Sequence, residues 1–193
     1  MDPESVTRQP PILALVGRPN VGKSRLFNRY AGRSRALVEG TPGVTRDRVA
    51  EEIEVSGRPI LLVDTAGLEP PDEGELTDAI QAQAKSAVEE ADAILFVVDG
   101  RAGLLPEDEA IARTLRRSQR PVALCVNKID AADQLARVGE FYSLGFEQTE
   151  GVSAEHGFNA FDLLEGLVAQ IPEEQGSAEP LPAAQTPALQ IAF

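Results

Sequence analysis

Short apolar runs alternate with longer amphipathic segments along most of the chain. Such runs are typical of buried strands, and segments with apolar residues at helical spacing are typical of surface helices. Strands are predicted at residues 12–16, 49–55, 60–63, 93–98, 122–126 and 146–152. Helices are predicted at residues 23–31, 76–90, 106–117, 133–142 and 161–171. Gly32 is expected to end the first helix.

The second strand has a pattern of its own. Residues 49–55 alternate apolar and acidic side chains, so one face of this strand should be solvated. The turn at Ser56-Gly57 leads directly into residues 60–63, which predicts an antiparallel pair at a sheet edge. The strands at residues 12–16, 60–63, 93–98 and 122–126 are wholly apolar, as in parallel sheets that helices cover on both faces. We therefore predict a three-layer α/β fold, mostly parallel, with one antiparallel edge strand.

The composition is that of an ordinary globular domain. The chain has 193 residues, of which 42% are hydrophobic and 25% charged. The 18 basic and 31 acidic side chains give a net charge of −13, which should repel nucleic acids and anionic membranes. We expect no membrane partner and no direct nucleic-acid binding by this acidic chain.

The sequence also favours a cytoplasmic location. The single cysteine, Cys125, excludes an intrachain disulfide framework and indicates a reducing compartment. No apolar run approaches the ~20 residues of a membrane-spanning helix. The polar, proline-bearing start lacks the apolar segment of a signal peptide.

Composition divides the chain into four segments. Residues 1–10 are polar and expected to be disordered, whereas residues 11–172 hold all the predicted strands and helices. Residues 173–188 are rich in proline, alanine and acid, which predicts an extended linker. Residues 189–193 are apolar again and resemble residues 12–16. They are either a frayed apolar tail or the start of a truncated second domain of the same kind.

A glycine-rich motif lies between the first strand and the first helix. It fully matches G-x-x-x-x-G-K-[ST], with the residues Gly17, Arg18, Pro19, Asn20, Val21, Gly22, Lys23 and Ser24. The glycines let the backbone curl so that N–H groups and the helix N-terminus face phosphate oxygens. Lys23 is suited to reach the β- and γ-phosphates, and the Ser24 hydroxyl is suited to bind Mg²⁺. The motif predicts a P-loop, and with it a P-loop NTPase fold.

A second motif, Asp64-Thr65-Ala66-Gly67, directly follows the strand at residues 60–63. Asp64 can support the Mg²⁺ shell, and the Gly67 N–H can sense a γ-phosphate. Alone, the string also fits an aspartate that caps a turn. Thr45, before the second strand, is a candidate second hydroxyl for Mg²⁺ or else a β-prone residue that begins the strand.

A third motif, Asn127-Lys128-Ile129-Asp130, follows the strand at residues 122–126. The Asp130 carboxylate can accept hydrogens from N1 and the N2 amine of guanine, whereas adenine has no matching donor pair. Asn127 can bond the O6 edge and tie this loop to the P-loop, and the Lys128 stem can cover the base. The simpler alternative is a loop with a capping aspartate. Ser153-Ala154, after the last strand, fits a loop whose backbone closes over the base.

Together, GRPNVGKS, PGVTRD, DTAGL, NKID and SAEHG resemble the five motifs of the TrmE-Era-EngA-like family of bacterial GTPases. The likeness covers about residues 10–172 and is greatest to the first GTPase domain of the two-domain members. It implies that GTP is hydrolysed to GDP and phosphate with Mg²⁺ bound. It also implies switch segments at residues 33–47 and 64–75, and nucleotide contacts from all three motifs and from Arg25, Leu68, Ser153 and Ala154.

The two-domain members act in assembly of the large ribosomal subunit. They have tandem GTPase domains, an acidic linker and a KH-like C-terminal domain. By resemblance, residues 189–193 would begin the second GTPase domain. The ribosomal partner would then be reached through the second GTPase domain and the KH-like domain, which this chain lacks.

The resemblance also bears on catalysis. Leu68 stands where Ras-like proteins have a water-orienting glutamine, so hydrolysis needs another source of assistance. Asn20 resembles the family asparagine that helps to hold K⁺ beside the phosphates, where a cation can stabilise the transition state. The alternative for Asn20 is a polar filler of a tight loop. Catalytic roles are implied for Lys23, Asn20, Thr45 and Gly67.

One residue departs from the family pattern, and two other interpretations fit the same motifs. Arg25 replaces the small Thr or Ser of relatives, which should leave binding intact but can alter nucleotide affinity or switch contacts. The domain can instead be a GTP-dependent regulatory module with negligible hydrolysis of its own. It can also belong to a different Era- or MnmE-like GTPase.

Overall fold

The computed structural model describes residues 9–37, 50–65 and 76–172. The strands are β1 (Ile12–Val16), β2 (Ala50–Val55), β3 (Arg58–Asp64), β4 (Ala93–Asp99), β5 (Val122–Asn127) and β6 (Gln148–Val152). The helices are α1 (Lys23–Leu37), α2 (Leu76–Glu90), α3 (Pro106–Leu115) and α4 (Ala160–Val168), with a 3-10 helix (Ala132–Leu144) between β5 and β6. The predicted linker and the apolar tail lie outside the described residues, as do residues 1–8.

The strands form one sheet in the order β2-β3-β1-β4-β5-β6. Among the strands of the described residues, only β2 is antiparallel to its neighbour, and it lies at an edge. One apolar core contains side chains of α1 and α4, and a second contains side chains of α2, α3 and the 3-10 helix. The predicted three-layer fold with one antiparallel edge strand is therefore confirmed, and its likeness to solved P-loop GTPases is described below.

The register brings the ends of five strands to one edge of the sheet. Asp64 pairs with Leu15, so β3 ends beside the end of β1. Asp99, at the end of β4, pairs with Asn127, which also pairs with Val152 at the end of β6. All three predicted motifs follow these carboxyl ends, where ligands of open α/β sheets bind.

Helix α1 continues beyond the predicted end at Gly32. A glycine ends a helix when it adopts a positive φ, and Gly32 is not among the positive-φ residues of the described chain. The following residues through Leu37 are compatible with a helix. The Arg33 guanidinium lies 4.2 Å from the ring centre of Phe161 in α4, which secures this part of α1.

The helices are short relative to a lipid bilayer. Within the part of the chain that the structure describes, no helix is both long and apolar enough to cross a membrane.

Candidate functional site

The loop from Gly17 to Ser24 joins β1 to α1 and has no room for side chains at its two glycines. Gly17 has φ +153°, and a Cβ there would lie 2.2 Å from the Val97 carbonyl oxygen. Gly22 has φ +105°, and a Cβ there would lie 2.2 Å from Nδ2 of Asn127. The loop is therefore packed directly against β4 and the end of β5, with the tight curl that a P-loop requires.

Lys23 is folded into this loop and is only 4% exposed. Its Nζ donates to the carbonyl oxygens of Gly17 at 2.7 Å and Arg18 at 2.8 Å. Burial lowers the pKa of Lys23, and the nearby Asp64 carboxylate opposes this change. The lysine thus lies inside the curl, while Ser24 is exposed on the first turn of α1.

The Arg18 side chain fastens the P-loop to the start of α3. Its Nε donates at 2.7 Å to Oδ1 of Asp108, which is fully buried. Burial raises the pKa of Asp108, although the Arg18 guanidinium opposes this change. Among the atoms that the structure describes, Nη2 of Arg18 is the buried side-chain nitrogen without a hydrogen-bond partner.

The second motif begins at the end of β3. Asp64 and Thr65 are buried, and the Thr65 hydroxyl donates to the Leu15 carbonyl oxygen at 2.7 Å. This bond fixes the start of the motif against β1, next to the P-loop. The remaining residues predicted for this part of the site lie outside the described residues: Thr45, Ala66, Gly67 and Leu68.

Asn127 joins three loops. Its Nδ2 donates to the Val21 carbonyl oxygen of the P-loop at 2.8 Å. Its Oδ1 accepts from the backbone N–H of Ala154, the residue predicted to close over the base, at 2.9 Å. The predicted tie from Asn127 to the P-loop is therefore present.

Lys128 makes a second connection to the P-loop. Its Nζ donates to the Asn20 carbonyl oxygen at 3.0 Å and to Oδ2 of Asp99 at 2.5 Å. Lys128 and Asn20 have φ values of 68° and 64°, a backbone conformation that is uncommon for residues other than glycine. The donor residue and the acceptor residue of this hydrogen bond therefore both have a left-handed backbone conformation.

The Asp130 carboxylate is held at both oxygens. The Ser153 hydroxyl donates to Oδ1 at 2.7 Å, and the Arg101 guanidinium donates to Oδ2. The hydrogen bond from Ser153 lowers the pKa of Asp130, and the charge of Arg101 acts in the same direction. Asp130 is therefore an ionised acceptor at neutral pH, as recognition of guanine requires.

Residues 153–157, here called the base-closing loop, are held by two arginines of α1. Nε of Arg29 donates to the Ala154 carbonyl oxygen at 2.6 Å, and its Nη2 donates to the Glu155 carbonyl oxygen. Nη1 of Arg25 donates to Oε2 of Glu155 at 2.9 Å, and both side chains of that pair are exposed. Arg25, the residue that departs from the family pattern, thus contacts the base-closing loop.

The motifs did not identify four residues that support the site: Arg29, Asp99, Arg101 and Asp108. For Asp99 a signal was present, because it directly follows a wholly apolar strand, as Asp64 and Asn127 do. For the others no local pattern indicates the partner.

Several side chains of the site have oxygen atoms that could act as ligands of a cation. Ser24 and Asp64 supply hydroxyl and carboxylate oxygens, the ligand types that Mg²⁺ prefers. The Asn20 side chain is exposed in the P-loop, where its amide oxygen suits a larger monovalent cation. Within the described ranges no three His, Cys, Asp or Glu side chains cluster.

Comparisons with known sequences agree with this geometry. Residues 12–128 match the family model described as 50S ribosome-binding GTPase. GTPase Der of Pelotomaculum thermopropionicum is 48% identical over 170 residues, which cover 88% of this chain and 39% of that protein. GTPase Der of Syntrophotalea carbinolica is 50% identical over 161 residues, with 83% and 37% covered. The chain thus spans about two fifths of the length of these relatives.

Solved structures of other GTPases share the fold of this chain. Aquifex aeolicus Era bound to GDP·AlF4⁻ has 31% identity and a TM-score of 0.66, over 90% of this chain and 59% of that one. Era in complex with MgGDPNP and nucleotides 1506–1542 of 16S ribosomal RNA has 28% identity and a TM-score of 0.64, with the same coverage. The FeoB G-domain of Methanococcus jannaschii, at 24% identity and TM-score 0.58 over 83% of this chain and 97% of that one, shares the fold. The predicted resemblance is confirmed: this chain belongs to the 50S ribosome-binding GTPase family.

Proposed function

We propose that this chain binds GTP and hydrolyses it to GDP and phosphate. The observation that carries the proposal is Asn127, which bonds both to the P-loop at Val21 and to the base-closing loop at Ala154. A phosphate-binding loop and a guanine-reading carboxylate are thereby held at one edge of one sheet. That arrangement suits a guanine nucleotide.

The residues divide between the two ends of the nucleotide. Backbone N–H groups of the P-loop and the Lys23 ammonium would hold the phosphates. Asp130 would accept hydrogens from N1 and N2 of guanine, and the Lys128 stem would cover the base. Ser153 and Ala154 would close the base pocket from the end of β6.

We propose that Ser24, Thr45 and Asp64 hold Mg²⁺ and that Asn20 helps to hold K⁺. Bound cations supply charge that offsets the negative charge on the transferring phosphoryl group. This matters here because Leu68, which stands where Ras-like proteins have a water-orienting glutamine, cannot orient water. Gly67 would contribute a backbone N–H to the γ-phosphate.

We further propose that the chain acts within a longer protein that assists assembly of the large ribosomal subunit. The support is the family description, which names the 50S ribosome, and relatives called GTPase Der at 48% and 50% identity. These identities exceed the 31% to Era, which favours a Der-like protein over an Era-like one. In this proposal GTP orders the switch segments, and GDP relaxes them.

A second candidate function is a GTP-dependent binding module with negligible hydrolysis of its own. Leu68 favours it, because the side chain that positions water in Ras-like proteins is missing. The two candidates differ only in turnover, so a rate measurement separates them.

The experiment is steady-state GTP turnover in KCl and in NaCl at matched ionic strength, for the wild type and Asn20→Ala. We expect turnover at least about tenfold faster in KCl, because a site-bound cation stabilises transition-state charge. Asn20→Ala should lose this preference and keep its affinity for GDP.

Equal, slow turnover in both salts together with tight GTP binding would establish the binding module instead. Failure to bind GTP more tightly than ATP would remove both candidates, since guanine recognition by Asp130 underlies each of them.

A further inference from the structure

Residues 127–130, here called the base-reading loop, lie next to a turn that carries two complementary charges. Lys128 and Asp130 are two residues apart, and so are Asp99, the last residue of β4, and Arg101 in the turn that follows. Lys128 is paired with Asp99, and Asp130 is paired with Arg101. Each charged side chain of the motif thus has a partner of opposite charge on one short segment.

The two segments are in direct contact between these ion pairs. The backbone N–H of Gly100 donates to the Asn127 carbonyl oxygen at 2.8 Å. A Cβ at Gly100 would lie 2.8 Å from Cδ1 of Ile129 and 2.9 Å from Cγ1 of Val126. A side chain at position 100 would therefore push Val126 and Ile129 aside, so the turn packs closely against the base-reading loop.

The segment is also fixed internally. Oδ1 of Asp99 accepts from the backbone N–H of Arg101 at 2.9 Å and from that of Ala102 at 3.3 Å. Its other oxygen accepts from Lys128. One carboxylate therefore anchors the backbone from which the Arg101 side chain extends toward Asp130.

We propose that Asp99 and Arg101 are positioning residues for base recognition, and that Arg101 sets the orientation of the Asp130 carboxylate. This inference rests on the proposed guanine-nucleotide function. Each carboxylate oxygen has two lone pairs, and Ser153 and Arg101 use one on each oxygen. One lone pair on each oxygen remains, which matches the two hydrogens that N1 and N2 of guanine present.

The chain supplies a matched control for Arg101. Arg101 lines an open cleft of about 620 Å³, and Arg137 lines the same cleft together with Gln134 and Glu140. Among the described residues, the side chains that donate to the Asp130 carboxylate are Ser153 and Arg101, so Arg137 is not one of them. Replacing Arg137 removes an arginine from the cleft without removing a contact to Asp130.

The test measures affinities for GDP and IDP by calorimetry on the full chain, for the wild type, Arg101→Ala, Arg101→Lys and Arg137→Ala. The inosine base keeps N1–H and lacks the N2 amine, so it engages Asp130 with one donor fewer. We expect Arg101→Ala to weaken GDP binding on the order of tenfold and IDP binding less, because a misoriented carboxylate loses its bidentate contact. Arg101→Lys should retain part of the GDP preference, and Arg137→Ala should match the wild type.

Three results would overturn the inference: GDP binding by Arg101→Ala that is equal to or tighter than that of the wild type, equal weakening of GDP and IDP, or the same loss in Arg137→Ala. The Arg101 side chain is 58% exposed, so Arg101→Ala should fold, and circular dichroism checks this. A wild type that does not prefer GDP to ADP would instead contradict the proposed function itself.

Discussion

At the scale of single residues, Arg29 connects the phosphate end of the site to the base end. It extends from α1, the helix that begins with Lys23, to two carbonyl oxygens of the base-closing loop. A Cβ at Gly157 would lie 2.7 Å from Nη1 of Arg29, so the loop curls closely around the guanidinium. Loss of the guanidinium should therefore loosen the loop.

We predict that Arg29→Met releases GDP about tenfold faster than the wild type, because hydrogen bonds from a charged donor are worth roughly 1.5–3 kcal/mol. The measurement is stopped-flow displacement of a fluorescent GDP analogue. Arg113→Met is the control, because it removes an exposed arginine of α3 and should leave GDP release unchanged. If Arg29→Met released GDP at the wild-type rate, the base-closing loop would not depend on this arginine.

How much of the site the sequence predicts depends on how local each contact is. The motif residues follow strands, and parallel strands bring their ends together, so the joining of the P-loop to Asn127 could be predicted. The contacts of Arg29 with Ala154 and of Arg18 with Asp108 span 125 and 90 residues. They depend on side-chain conformations and helix placement, which no local pattern encodes.

At the scale of elements, the turn from β1 into α1 has the tightest backbone requirement. Gly22 combines a positive φ with contact to Asn127, whereas Gly32 on α1 faces open space. The same residue type thus has opposite consequences at the two positions. The sequence indicated the first role correctly and assigned Gly32 a helix end that the structure does not have.

We predict that Gly22→Ala weakens GDP binding more than about tenfold, because the strained φ and the displaced Asn127 together cost several kcal/mol. Gly32→Ala should bind GDP normally and raise the free energy of unfolding by about 0.5–1 kcal/mol. Calorimetry and urea unfolding measure the two quantities. Normal GDP binding by Gly22→Ala would contradict the close packing of this loop against Asn127.

At the scale of the whole molecule, Arg58 joins two regions that are distant in sequence. It lies at the start of β3, and its guanidinium donates to the carbonyl oxygens of Val168, Ile171 and Pro172 at 3.4, 2.8 and 3.0 Å. Val168 is the last residue of α4, and Ile171 and Pro172 lie in the segment that follows it. Arg58 thereby connects α4 and the residues after it to the β2–β3 edge of the sheet.

We predict that Arg58→Met lowers the free energy of unfolding by about 1–2 kcal/mol, because the freed carbonyls lose a charged donor. Urea unfolding of the full chain is the measurement. Arg113→Met, a change of an exposed arginine on α3, should stay within about 0.5 kcal/mol of the wild type. Equal stability of Arg58→Met and Arg113→Met would exclude a capping role for Arg58.

The layered architecture was predictable because it follows from burial alone. A strand such as β4, buried along almost its whole length, needs helices on both faces, and the acidic alternation of β2 suits only an edge. Strand order and the length of α1 were not predictable in the same way. They depend on pairings between distant segments and on contacts such as that of Arg33 with Phe161.

The two bonds from the base-reading loop to the P-loop carry a thermodynamic consequence. Since Asn127 is bonded to Val21 and Lys128 to Asn20, the two halves of the site keep a fixed separation. A ligand that spans both halves loses its rigid-body freedom once, whereas a nucleoside and a pyrophosphate each lose their own. Under the proposed function, the site would therefore bind an intact nucleotide more tightly than its separate parts, through entropy as well as through contacts.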